Sequence, residues 1–251
     1  MSRAKRAIRE NPRKDRNNTR NNTRNNVVDF NPQQSSTRMK KIQIVPRTET
    51  QEDLLCELYD DNKHIVFVTG PAGCGKTLLA MSYALKQLQD NKIERIFLTR
   101  PAVSVEEEHG FLPGDLNQKM EPWMIPLMDV ARNYYDVATV QHMLENKTIE
   151  YVPLAYARGR NLVNAVIIGD EAQNMTVDQM KMLCTRIGEG SKLIITGDLE
   201  QHDRNRASNG LKDFIERLKR YKSDMISFVE FSNKDIQRHP VIDEVLKIYA
   251  K

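Results

Sequence analysis

HIVFVTGPAGCGKTLLAMSYALKQL, residues 64–88, decides the fold of this chain. It opens with a short β-branched and aromatic run, His64–Val68, stopped by Thr69-Gly70-Pro71. It closes with Lys76–Leu88, apolar nearly all round, as a helix lying between a sheet and its neighbours should be. Between them Gly70-Pro71-Ala72-Gly73-Cys74-Gly75-Lys76-Thr77 fits G-x-x-x-x-G-K-[ST] in full. Glycines let backbone N–H groups turn inward around phosphate oxygens, where a side chain would clash. The helix N-terminus, at Thr77 and Leu78, adds partial positive charge. The pattern assigns Lys76 to the β- and γ-phosphates of a nucleotide and Thr77 to a magnesium ion.

Outward from this stretch the pattern repeats. Glu94–Thr99, Glu150–Leu154, Ala165–Ile168, Lys192–Thr196 and Ile226–Phe231 are strand candidates. Thr176–Ile187 reads as an amphipathic helix, with a capping box from Thr176 and Gln179 and a stop at Gly188. Leu211–Lys219 and Val241–Tyr249 are later helices. Strands separated by helices predict an α/β fold with a mostly parallel sheet covered on both faces. The section from Pro101 to Lys147, broken by Gly110, Pro113, Gly114, Pro122 and Pro126, reads as an irregular insertion with short helices.

Ala165–Gly169 runs into two acids, Asp170 and Glu171. Downstream of a phosphate loop, Asp170 is placed to hold magnesium. Glu171 is placed to orient and deprotonate an attacking water, which favours hydrolysis over transfer to a second small molecule. After the next strand come Thr196-Gly197-Asp198-Leu199-Glu200-Gln201, where Gln201 is the candidate sensor of the γ-phosphate. Gln51, 19 residues before Gly70, is placed to pair with the edge of adenine.

The chain has 251 residues and a net charge of +4. Residues 1–26 hold nine Lys or Arg against Glu10 and Asp15, a net of +7, so the remainder carries −3. A basic tail thus precedes a mildly acidic body. Residues 15–26, DRNNTRNNTRNN, offer no apolar face at any period, and we read residues 1–40 as a disordered tail and 41–251 as the folded domain. Cys56, Cys74 and Cys184 lie far apart, which excludes a zinc site of the usual spacing and argues against a disulfide framework. Ile65–Val68 and Ala165–Ile168, the longest apolar runs, are far too short to span a membrane.

GPAGCGKT, DEAQN (170–174) and TGDLEQ (196–201), in this order, resemble superfamily 1 helicase motifs. TRPAV (99–103), GFLPGDLNQKMEPWMIPLMD (110–129), YARGRNL (156–162) and RHP (238–240) extend the likeness to the PhoH-like family, phosphate-starvation-inducible ATPases, from about Arg47 to Tyr249. The resemblance implies a RecA-like fold, ATP and Mg2+ as cofactors, ATP hydrolysis, single-stranded RNA or DNA as partner, hexameric rings and a bacterial or phage-infected cytoplasm. The usual loop has Thr where this chain has Cys74, and its usual I-D-L-P after the Gln is His202-Asp203-Arg204-Asn205 here. Nothing matches the nuclease domain some members carry, so the likeness is to the short form.

Four arginines need a reading. Arg158 and Arg160 are candidates for a nucleic-acid contact or an arginine finger, against plain surface charge. Arg238 is a candidate for the γ-phosphate, in cis or from a neighbouring subunit, against helix capping. Arg100 sits at a strand end, where phosphate or nucleic acid are its candidate contacts. Trp123, Tyr134 and Tyr135, among Met and Leu, read as core. Two functional hypotheses follow: a magnesium-dependent ATPase coupled to single-stranded RNA or DNA, or an ATPase switch or assembly factor acting on protein. On the first, deleting residues 1–26 removes a net +7. Nucleic-acid affinity is then expected to fall, and the slope of its salt dependence to flatten. A filter-binding titration across salt concentrations reads both, and unchanged low-salt affinity would exclude the tail as a nucleic-acid arm.

Overall fold

Short strands that are apolar at nearly every position, with no polar face left over, must be covered from both sides. The structure, a computed structural model, shows this in residues 41–101, 125–201, 209–238 and 240–249, which are the residues it describes. Six strands form one sheet: β1 (Ile65–Thr69), β2 (Arg95–Thr99), β3 (Ile149–Tyr151), β4 (Ala165–Gly169), β5 (Lys192–Gly197) and β6 (Ile226–Glu230). Their order is β3-β2-β4-β5-β1-β6, and every pairing is parallel. All carboxyl ends therefore open on one side.

Successive side chains split between two cores. Val66, Val68, Ile96, Leu98, Val166 and Ile168 face one cluster. That cluster is closed by α1 (Glu49–Tyr59), α2 (Lys76–Gln89), the helical stretch 125–132 and α3 (Val137–Glu145). Ile65, Phe67, Phe97, Ile167, Leu193 and Ile195 face the other. There α4 (Val177–Cys184), α5 (Gly210–Arg220) and the 3-10 turn Leu154–Ala157 close over the sheet. A last helix, α6, spans Pro240–Tyr249. Tyr134 and Tyr135 join the first core, whereas Trp123 and the tail 1–40 lie outside the described residues. Among the described residues no helix is long and apolar enough to cross a membrane.

Some expectations need correction. Glu150–Leu154 is not one strand. β3 stops at Tyr151, and the chain turns into the 3-10 segment after Pro153, which has no N–H for a ladder. Thr176–Ile187 is also shorter as a helix. The capping box is present, with Thr176 accepting from the Gln179 N–H and the Gln179 side chain accepting from the Thr176 N–H. The helix ends at Cys184, because Arg186 and Gly188 bond Leu162 instead: the Leu162 N–H donates to Arg186 O at 2.9 Å and the Gly188 N–H to Leu162 O at 2.8 Å. Gly188 is thus no helix stop. A Cβ there would sit 2.6 Å from Val163 Cγ1, so the residue permits a close crossing of two segments. α1 did not figure among the expected helices, whereas α3 is one of the short helices expected between Pro101 and Lys147.

The segment after β6 is pinned by a buried acid. The Asp235 carboxylate accepts from the Ser232 N–H at 2.9 Å and the Ser232 hydroxyl at 3.1 Å. Burial pushes its pKa up, but these bonds and those from Thr48 and Thr50 at the start of α1 hold it below the ordinary carboxylate value. A depressed folded-state pKa means the stabilisation is present above the ordinary carboxylate pKa and is lost as pH falls through the depressed value. Asp235→Asn is expected to lower the unfolding midpoint at neutral pH and to flatten its decline in acid, read by urea melts across pH. Thr176→Ala removes an N-cap and is expected to cost about 0.5–2 kcal/mol by the same melts.

Candidate nucleotide site

The strand register sets the site before any side chain is considered. Thr69 lies opposite Gly197, and Thr99 opposite Gly169. Gly70, Asp198, Asp170 and Arg100 therefore leave the carboxyl ends of four strands, β1, β5, β4 and β2, which are neighbours in the sheet. Ligands in such sheets bind outside the carboxyl ends. A cavity of about 250 Å³ opens there, lined by Ala72, Gly73, Gly75, Lys76, Thr77, Leu78, Asp170, Glu171, Gly197, Asp198 and Gln201. A larger one, about 770 Å³, lies at the amino ends of β1, β5 and β6. Of the basic residues lining it, Lys192 is spent on the carbonyls of Leu58 and Asp60, at 2.6 and 2.8 Å. The acids and the phosphate loop line the smaller one, so the chemistry belongs there.

The loop is a nest of positive-φ glycines, with Gly70 at 139°, Gly73 at 90° and Gly75 at 92°. Gly73 is fixed by two demands. Its φ is costly for a residue with a Cβ, and a Cβ there would run into the Arg238 side chain at Nε. Arg238 of the same chain therefore lies directly over the loop, and the neighbouring Gln237 N–H donates to Gly73 O at 3.0 Å. The Lys76 ammonium is turned back onto the loop, donating to Gly70 O at 2.6 Å and Pro71 O at 2.9 Å. Cys74 Sγ lies 3.7 Å from Lys76 Nζ; burial pushes its thiol pKa up, with Lys76 opposing, so it stays a protonated packing group.

Asp170, only 8% exposed, gathers hydroxyls. Its Oδ1 accepts from Thr77 Oγ1 at 3.0 Å and from Thr196 Oγ1 at 2.5 Å. Thr77 Oγ1 and Asp170 Oδ1 are hard donors spaced as neighbouring ligands of an octahedral magnesium are, about 3.0 Å apart for bonds of about 2.1 Å. The residues present thus fit that ion.

Glu171 sits in the left-handed region, at φ 52°, which costs a residue with a Cβ on the order of 1–2 kcal/mol. Its Oε1 is 3.4 Å from Arg100 Nη2, and its Oε2 accepts from Gln173 Nε2 at 2.5 Å. Gln173, 3% exposed, uses its other end to accept the Asp198 N–H at 3.1 Å. It links the two acidic loops. The third residue after Asp170 gave no sign of this from sequence, because the bond to Asp198 spans 25 positions.

Other expected residues fall in different places. Gln51 is buried, with its amide committed: Nε2 donates to Cys74 O at 3.0 Å and Oε1 accepts the Arg47 N–H at 2.8 Å. It braces the loop from behind. Gln201 lines the cavity at its exposed margin, and His202–Asn205 lie outside the described residues. Arg160 forks onto Glu150, at 2.8 and 3.2 Å, and stands 5.3 Å from the Phe97 ring centre, so it is tied into the fold. Arg158 is exposed, at the end of the 3-10 turn.

Residues 43–250 match the family model described as PhoH-like protein. The PhoH-like protein of Bacillus subtilis (strain 168) is 45% identical over 188 residues, 74% of this chain and 58% of the relative. That of Synechocystis is 43% identical over 191 residues, 75% and 58%. Protein PhoH of Escherichia coli (strain K12) is 38% identical over 210 residues, 82% and 58%. The chain thus spans just over half the length of these relatives. Among solved structures, the large terminase of bacteriophage HK97 superposes with a TM-score of 0.51 at 15% identity, over 75% of this chain and 40% of that one. The large terminase of a thermophilic bacteriophage gives 0.51 at 11%, over 81% and 50%. At such identities these two speak for the fold alone, a RecA-like P-loop sheet. The family match over nearly the whole folded domain, with relatives at 38 to 45% identity, settles membership: this chain belongs to the PhoH-like protein family.

Proposed function

We propose that this protein hydrolyses ATP with magnesium and couples the hydrolysis to single-stranded RNA or DNA. One observation carries the reading: a phosphate loop with Lys76 and Thr77 faces Asp170 and Glu171 across a cavity of about 250 Å³. Lys76 exchanges the carbonyls of Gly70 and Pro71 for the β- and γ-phosphates. Thr77 and Asp170 hold the magnesium, which when bound neutralises charge developing on the phosphates. Glu171 orients the attacking water and takes its proton. Gln201 stands at the mouth of the same cavity as γ-phosphate sensor. Arg238 reaches the loop in cis, which supports it as the arginine that stabilises the transferring group.

The nucleic-acid half of the reading rests on the basic tail and on exposed Arg158. Motor work by one RecA-like domain needs a second wall to its cleft, so the reading includes a homo-oligomer, with a hexameric ring as its form. Expected outcomes separate binding from chemistry. Lys76→Ala loses nucleotide binding or turnover, because such contacts supply most of the catalysis. Glu171→Gln still binds ATP while turnover falls by roughly 10² or more. Phosphate release and binding of a fluorescent ATP analogue read the two. Turnover of Lys76→Ala within about twofold of wild type would exclude the phosphate-loop assignment.

A further inference from the structure

Glu171 is the base of the proposed reaction, yet both its carboxylate oxygens are occupied. A carboxylate paired with a guanidinium is held in the direction that the pair sets and is not free to turn toward a water. Here the guanidinium is Arg100, at the carboxyl end of β2, the strand next to β4. Gln173 holds the other oxygen, and it cannot rotate its amide without losing the Asp198 N–H. The left-handed backbone of Glu171 shows that the surroundings, not local preference, set this position.

The Arg100 side chain is 21% exposed, so it is partly open to a ligand although its Nε is buried. What lies along the same edge of the sheet names the ligand. β3 pairs with β2, and the chain leaving β3 forms the turn Leu154–Ala157. Leu154 and Ala157 are buried in the core, so the turn is held rigidly, while Tyr156 between them is 63% exposed and Arg158 follows it into solvent. A guanidinium, an open aromatic face and a second exposed arginine suit a chain of phosphates with bases to stack. Phosphate oxygens match the guanidinium fork as well as a carboxylate does.

Resting on the ATPase reading above, we propose that Arg100 holds Glu171 out of line for catalysis, and that the phosphate backbone of single-stranded nucleic acid releases Glu171 by drawing Arg100 to itself. Gln173 then acts as a positioning residue, keeping the freed carboxylate beside the Asp198 loop. Tyr156 and Arg158 hold the strand.

The test compares wild type, Arg100→Met and Arg100→Lys in ATP turnover, with and without a single-stranded RNA or DNA 30-mer, separating kcat from KM. Freeing the carboxylate to turn toward the water is expected to raise the nucleic-acid-free kcat at least about threefold, with KM near wild type, and to abolish stimulation by the strand. Arg100→Lys keeps a charge without the fork and should retain part of the stimulation. Binding of a fluorescent ATP analogue and the melting midpoint report that the variants fold. An unchanged or lower basal kcat in Arg100→Met, alongside an active wild type, overturns the latch and leaves the ATPase reading standing. So does a wild type whose turnover the strand does not raise. Equal stimulation by inorganic polyphosphate, which has no bases, overturns the nucleic acid as the releasing ligand. A wild type without ATP turnover in any condition overturns the ATPase reading, and the latch with it.

Discussion

A buried carboxylate is tolerable only with its hydrogen bonds made, and the site is built around one. Asp170 draws in Thr77 from α2 and Thr196 from β5, and its own N–H donates to Thr99 O at the end of β2. Four elements thus meet at one acidic residue. The register Gly169 against Ile195 places Asp170 beside Thr196, and a shift by one residue would turn its side chain to the other face of the sheet. The sheet's pairing and the proposed metal site are one constraint seen at two scales.

The same economy holds for two charged side chains at the cavity. Lys76 satisfies itself on the loop's own carbonyls, and Glu171 on Arg100 and Gln173. Each has an internal partner of the polarity that a substrate would offer or compete for. On the proposed reading, nucleotide phosphates displace existing bonds of Lys76 and gain a difference of two interactions, not the whole of one.

How much of this was legible in the sequence depended on the distance over which each bond is made. The phosphate loop and the Thr176–Gln179 capping box involve neighbours in the chain, and both stand where the motifs put them. The fold class followed from alternating strands and helices, because β1 and β4 are buried at every position. α3 was legible only as one of the short helices of the section 101–147, because the glycines and prolines around it hide where an element begins. Gln51 lies against the phosphate loop, but its partners there, Cys74 O and the Arg47 N–H, cannot be read from spacing. Gln173 and the Arg238 crossing over Gly73 are contacts across 25 and 165 positions, set only by the tertiary fold.

The long-range contacts also explain how a glycine-rich loop can be held ready. Glycines lose the most backbone freedom on ordering, so a loop with three of them at positive φ has little intrinsic reason to keep its shape. It is held from both flanks. From α1, Gln51 ties Cys74 O; from the segment after β6, the Phe231 N–H ties Thr69 O and the Gln237 N–H ties Gly73 O. Those two flanks are themselves joined by Asp235, through Thr48 and Thr50. The clamp is thus a closed circuit: α1 to the loop, the loop to the post-β6 segment, and that segment back to α1. A preordered cradle spares a ligand the entropy of arranging it. Because Arg238 leaves the same segment one residue after Gln237, the bonds that shape the cradle also aim the arginine, and loop order and charge placement are set together.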